Sequence, residues 1–231
     1  MTAHRMLIAV LGVAGLFVAG CGSDDSSSDV STSAAVATTS ADVAATPAGC
    51  PPVEGAETQT RQFDAPPPDC LTPGATYEAI VTTNKGEFTI VLDPESAPAA
   101  TNNFVFLARN QYFDDTPCHR IIPNFVVQCG DPTGTGTGGP GYTIVDEPPP
   151  PGQYQVGSIA MAKTIDPNSA GSQFFIITGP DGAALPPEYA LFGQVTDGLD
   201  STVPAMAAAG TPGEGIPSEP VDILSIRIIE S

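Results

Sequence analysis

The fold turns on one stretch, His119-Arg120-Ile121-Ile122-Pro123-Asn124-Phe125-Val126-Val127-Gln128. Apolar runs flank a Pro-Asn turn, which predicts two short antiparallel strands over 118–122 and 126–129. Arg120 stands inside the first apolar run, and Phe125 and Gln128 lie three residues apart across the turn. A second block, Ser172-Gln173-Phe174-Phe175-Ile176-Ile177-Thr178, again sets Gln beside Phe. At the two-residue period of a strand, Gln173 and Phe175 point to one face. An apolar aromatic floor with one Arg and two amides at its rim suits a small ring beside a peptide carbonyl. It does not suit acid–base chemistry, because no pair of titratable groups with opposed pKa values is visible.

Outward from these blocks the chain continues in short strands. The segments 77–82 and 87–92 alternate about an Asn84-Lys85-Gly86 turn, which predicts a hairpin. Pro98 opens a helix whose inner face carries Phe104, Leu107 and Ala108, ending before Asn110. Strands are predicted at 158–162, 172–178, 191–195 and 221–230, and a short helix at 199–209, interrupted by Pro204. Eight antiparallel strands and two helices suit an all-β fold, a closed eight-stranded barrel capped by two α-helices, which exposes no sheet edge.

Composition agrees and excludes alternatives. The chain has 231 residues, with 24 Gly and 25 Pro, too many for a helical bundle. Lys plus Arg number 7 against 26 Asp plus Glu, a net charge of −19. No basic patch is available to grip a phosphate backbone, so no nucleic-acid partner is expected. Residues 74–231 hold eighteen acids and five bases, so the acidity belongs to the domain and not to a tail alone.

The N-terminus reads as export and anchoring. Residues 1–20 carry Arg5 and a 14-residue apolar run from Leu7 to Gly20, short for a membrane span of roughly 20 residues and suited to a signal peptide. Val18-Ala19-Gly20-Cys21 resembles the bacterial lipobox, which implies a diacylated Cys21 as mature N-terminus. Residues 21–73 read as a lipid-anchored tether, Ser/Thr/Ala-rich and disordered at first, then Pro-rich. The domain is expected over 74–231, held at the outer face of the cytoplasmic membrane.

Other chemistries are set aside. The Gly-rich run from Gly130 to Tyr142 lacks the Lys-Ser/Thr of a phosphate-binding loop and reads as a plastic surface loop. His119 has only His4, in the signal, as a fellow histidine, so no metal site is expected and His119 reads as a hydrogen-bonded structural residue. Neither Ser158 nor Ser172 sits in a nucleophile elbow. With Cys21 lipidated, four cysteines remain. Cys118 and Cys129 flank the hairpin, so a cross-strand bridge is one reading, with Cys50–Cys70 closing the Pro-rich segment. Four thiols allow three pairings, and free buried thiols are a further arrangement.

The blocks HRIIPNFVVQ, GDPTGTGTGGPGY, MAK, GSQFFI and LFGQV occur in the order of the cyclophilins, and residues 75–231 resemble such a domain over nearly its full length. The resemblance implies a peptidyl-prolyl cis-trans isomerase that needs no cofactor and acts on X–Pro-containing polypeptides as a monomer. It places Arg120 as the catalytic arginine and Phe125, Met161, Phe175 and Leu185 as the pocket for the proline ring. Gln128 and Gln173 form the polar rim, Ala162 and Lys163 pair with substrate backbone, and Tyr189 serves as an aromatic wall where many members carry His. Lys163 departs from the usual Asn, which implies altered preference. Ala184 lies near a position held by Trp in cyclosporin-sensitive members, which implies weak cyclosporin binding. Two other readings are a binding module of the same fold, holding proline segments with little turnover, and a structural envelope protein without peptide affinity.

Overall fold

Period-two burial builds the sheet. Strand β1 (Tyr77–Thr83) buries Tyr77, Ala79, Val81 and Thr83, and β2 (Gly86–Leu92) buries Phe88, Ile90 and Leu92. The two pair in the expected hairpin from Glu78↔Val91 to Thr83↔Gly86. This computed structural model describes residues 47–231; the expected signal peptide 1–20, Cys21 and the tether as far as residue 46 lie outside the described residues.

The chain continues through α1 (Pro98–Arg109), β3 (Thr116–Pro117), β4 (Arg120–Ile122), β5 (Val126–Cys129), β6 (Ser158–Met161) and β7 (Phe174–Ile177). It ends with α2 (Pro180–Ala183), β8 (Leu191–Asp197), α3 (Thr202–Ala207) and β9 (Asp222–Glu230). All pairings are antiparallel, in one sheet ordered β3-β9-β1-β2-β8-β6-β7-β5-β4.

The expected closed eight-stranded barrel with two helices is thus corrected to a curled nine-stranded sheet, with β3 and β4 as its ends and three helices among the described residues. Strand β3 is two residues long, too short to leave an alternation in sequence. Edge strand β4 is covered by a loop: Ile121 N–H donates to Gly215 O at 2.7 Å, and Thr211 N–H donates to Ile121 O at 3.1 Å. Pro204 does not interrupt α3. It stands in the first turn, where a missing N–H leaves no helical bond unmade.

The concave side of the sheet is filled by α1 and an aromatic cluster. Phe104 lies 5.2 Å from Phe113 and Phe192 and 5.4 Å from Phe174 between ring centroids. A smaller apolar cluster (Val126, Tyr154, Ala160, Phe175 and Ile177) sits apart from this core, with Phe125, Leu185 and Tyr189 packed on it.

Residues 47–73 form no helix or strand, and they lie along α1 as a strap. Ala56 N–H donates to Arg109 O at 2.7 Å and Thr60 N–H to Asn110 O at 3.0 Å. These bonds satisfy carbonyls that a helix C-terminus leaves unpaired. Arg61 donates to Asp114 O at 2.6 Å, and the Phe63 ring packs 4.9 Å from Phe106. Cys50 is bonded to Cys70 with Cα atoms 5.5 Å apart, and Cys118 to Cys129 with Cα atoms 3.9 Å apart.

Candidate active site

The hairpin β4–β5 sets Arg120 opposite Gln128, and β5–β7 pairing sets Gln128 opposite Phe175. Three neighbouring strands therefore bring an arginine, an amide and an aromatic ring onto one patch. The tight turn between β4 and β5 places Asn124 at φ 65°, a left-handed conformation that Asn tolerates better than most residues. That turn fixes Phe125. Its carbonyl accepts the Thr178 N–H at 3.0 Å, and Gly182 of α2 packs so closely that a Cβ would lie 2.4 Å from the Phe125 oxygen.

A cavity of about 180 Å³ opens here, lined by Arg120, Phe125, Val126, Gln128, Ala162, Lys163, Phe175, Leu185 and Tyr189. The Arg120 guanidinium carbon stands 5.8 Å from the Phe125 ring centroid, within cation–π range. Arg120 Nη1 donates to Gln128 Oε1 at 3.2 Å, and Gln128 Nε2 donates to Gln173 Oε1 at 2.9 Å. The rim is thus a continuous chain of three polar side chains.

One expected pocket residue is displaced. Met161 is 2% exposed and belongs to the main core, away from this cavity. The reason is strand alternation: in β6, Ala160 packs in the cluster beside the cavity, and Met161, one residue on, faces the other way. Val126, next to Phe125, lines the cavity instead. Gln173 lies at the rim of a neighbouring cavity of about 380 Å³, which shares Gln128, Ala162 and Lys163 with the first. Ala162 and Lys163 follow the end of β6, and Ala162 N–H donates to Gln173 O at 2.8 Å. Lys163 Nζ pairs with Asp146 Oδ2 at 3.1 Å.

Residues unforeseen from sequence support the wall. The Tyr154 hydroxyl donates to Tyr189 O at 2.6 Å and accepts from Tyr189 N–H at 3.0 Å, which holds the Tyr189 ring edge-on to Phe175 at 5.4 Å. Burial pushes the Tyr154 hydroxyl up to about 12, so it stays protonated and able to donate. The Gly-rich loop is not plastic over its first half. The buried Asp131 carboxylate accepts the Thr133 N–H at 2.7 Å, the Gly136 N–H at 2.7 Å and the Gly138 N–H at 3.1 Å. Burial alone would raise its pKa, but these bonds with the Thr133 hydroxyl outweigh burial and hold it below the usual carboxylate value. Both His119 ring nitrogens are buried, the nearby Gln173 side chain is the polar group that bears on them, and burial is the main cause of the lowered His119 pKa. The cavity's polar side chains are linked so that they bind and orient: Arg120 to Gln128 and Gln128 to Gln173.

The family of cyclophilin type peptidyl-prolyl cis-trans isomerases/CLD matches residues 79–228. A probable peptidyl-prolyl cis-trans isomerase B of Mycobacterium leprae is 37% identical over 173 residues, covering 67% of this chain and 57% of that protein. A peptidyl-prolyl cis-trans isomerase-like 1 of Gibberella zeae is 38% identical over 158 residues, covering 67% of this chain and 96% of that protein. The chain therefore spans little more than half the length of the mycobacterial relative and nearly all of the fungal one. The crystal structure of a Cryptosporidium parvum cyclophilin type isomerase superposes with a TM-score of 0.62 at 31% identity, covering 68% of this chain and 99% of that one. The same Cryptosporidium protein in the presence of the dipeptide Ala-Pro superposes with a TM-score of 0.61. The residues that build the cavity all fall within the matched span, and the chain belongs to the cyclophilin type peptidyl-prolyl cis-trans isomerase family.

Proposed function

We propose that this chain accelerates rotation about X–Pro bonds in exported polypeptides and so assists their folding at the cell envelope. The observation that carries the reading is the cavity itself, an apolar floor of Phe125, Val126, Phe175 and Leu185 under an Arg120 guanidinium already anchored by Gln128. Rotation about X–Pro is resisted by about 18–20 kcal/mol, because the nitrogen lone pair is shared with the carbonyl. In the twisted transition state that lone pair returns to a pyramidal nitrogen. The floor holds the proline ring while the preceding residue turns. Arg120 spends one of its five N–H donors on Gln128 and keeps others for the localised lone pair or the adjacent carbonyl oxygen. A hydrogen bond that strengthens only as the bond twists stabilises the transition state over the ground state.

The acting form is a monomer lipidated at Cys21 and held at the outer face of the cytoplasmic membrane. Each buried CH₂ of the acyl chains contributes about 0.8 kcal/mol to anchoring. Cyclosporin binds weakly, because Ala184 offers no indole beside Leu185. Cis-to-trans exchange on an X–Pro peptide tests the activity: Arg120→Ala should lower kcat/KM by about 10²-fold or more. A variant with full activity would overturn the assignment. Mass spectrometry of the mature N-terminus tests the anchor, and an unacylated chain beginning elsewhere than Cys21 overturns that part alone.

A further inference from the structure

The polar chain that ends on Arg120 does not begin inside the cavity. Gln173 accepts from Gln128 through its Oε1 and turns its Nε2 to the Gly-rich loop, donating to Gly136 O at 3.1 Å and to Gly138 O at 3.0 Å. The two residues that follow in the loop are gripped from outside by the strap. Gln62 Nε2 donates to Gly139 O at 3.1 Å, and Phe63 N–H donates to Pro140 O at 2.8 Å. Gly141 then runs so close to the strap that a Cβ there would lie 2.5 Å from Phe63 O. The Phe63 ring seats the grip by packing on Phe106 of α1 at 4.9 Å and near Tyr142 at 6.2 Å.

The loop thus has two different holds. Asp131 organises it from below as far as the Gly138 N–H. Beyond that point, at residues 139–141, the hydrogen bonds come from the strap, while the Pro140 ring also packs beside Gly171. Gln173 reads two carbonyls, Gly136 O within the first hold and Gly138 O where the first hold gives way to the second. Its amide direction, and with it the directions of Gln128 and Arg120, depends on where those carbonyls point.

We propose that the strap is a positioning element of the active site, with Gln62 and Phe63 fixing the Gly-rich loop so that the Gln173–Gln128 pair presents Arg120 in its reacting orientation. The inference rests on the isomerase reading above. Neither strap residue lines the cavity, so both act through the loop and not on substrate. Hydrogen-bonded side chains polarise and orient one another in sequence, so loss at one end is felt at the other.

Gln62→Ala removes one bond from an exposed side chain and leaves a folded protein; Gln62→Ala with Phe63→Ala also removes the ring that seats the strap, leaving the loop held only by the residue-63 N–H on Pro140 O. Arg61→Ala loosens the strap at Asp114 without touching the loop and serves as the control. In the full chain the double variant should lower kcat about fivefold with KM within about twofold of wild type, the single variant less, and Arg61→Ala should leave both unchanged. Putting Phe63→Tyr in place of Phe63→Ala keeps the ring and should bring kcat back to that of Gln62→Ala alone. The spectroscopic arm follows the Nε2 amide resonances of Gln173 and Gln128. They should move in both Gln62 variants and stay still in Arg61→Ala, whatever the thermal stability of each. Unmoved amide resonances with wild-type kcat in the double variant would overturn the proposal, as would an equal loss in Arg61→Ala. If wild type itself were inactive the isomerase reading would fall, and the amide resonances alone would still decide whether the strap reaches Gln173.

Discussion

Lys163 Nζ lies 3.1 Å from Asp146 Oδ2, with only 13% of the lysine side chain exposed, on the ridge shared by the two adjoining cavities. The same Asp146 oxygen accepts the Asn168 N–H at 2.9 Å, so the carboxylate is held in place and holds the lysine in turn. The cation at the groove is therefore spent on the protein. Asp146→Asn should release it toward substrate. Peptides with Glu upstream of Pro should then gain about two- to fivefold in kcat/KM over peptides with Lys there, the scale of a partly exposed ion pair. Lys163→Asn should abolish the difference. A peptide series assayed on wild type and both variants checks this, and identical rankings in all three would refute it.

Leu185 contributes apolar surface to the floor while remaining partly exposed, so its truncation tests the pocket without gutting the core. Leu185→Ala should raise KM about tenfold through the loss of one to two buried methylenes against the proline ring, with thermal stability nearly unchanged. An unaltered KM would mean that the ring binds elsewhere.

The Cys118–Cys129 bridge closes a short loop around the hairpin that carries both Arg120 and Gln128. Replacing both cysteines with serine should cost about 3 kcal/mol, chiefly by enlarging the unfolded ensemble. Urea denaturation under non-reducing conditions reads this as a lower midpoint with an equal or steeper slope, because the uncrosslinked unfolded chain exposes more surface. An unshifted midpoint would show that the bridge is absent in solution.

His119 should make stability depend on pH. Burial is the main cause of its lowered pKa, Arg120 adds to it, and the Asp131 charge opposes both. The unfolded ring takes up a proton near its usual 6.5, and the folded ring does so only at lower pH. Stability is thus fullest above that value and declines as pH falls below it. Melting temperature should drop between about pH 7.5 and about pH 5.5, and His119→Gln should flatten the slope. Equal slopes in the two proteins would count against a buried neutral ring.

Much of the site was legible because strands write themselves at period two. The Pro-Asn turn announced the hairpin that sets Arg120 opposite Gln128, whereas the β5–β7 pairing that adds Phe175 to their patch had no signal in the spacing. Met161 shows where the same rule corrects a resemblance: Ala162 lines the cavity, so its neighbour Met161 must face away, and Val126 takes the place. The strap was not legible. Arg61 and Gln62 bond to backbone carbonyls fifty or more residues away, and a carbonyl carries no side-chain signature. Glu147 accepts the Ala99 and Ala100 N–H groups at the start of α1 from 48 and 47 residues downstream, again with no local signal. Asp131 hid for a related reason: in sequence it is one acid ahead of a glycine-rich run, and only folding turns three amides back onto it.

The Cys50–Cys70 bond has a consequence for resistance to proteolysis. A protease that cuts the exposed backbone anywhere between the two cysteines leaves a nicked molecule whose halves stay covalently joined, with everything before Cys50 still linked to the domain through Cys70. Such a species would run as one band on a non-reducing gel and as two on a reducing one. Damage at the most accessible part of the strap would not by itself separate the residues before Cys50 from the domain.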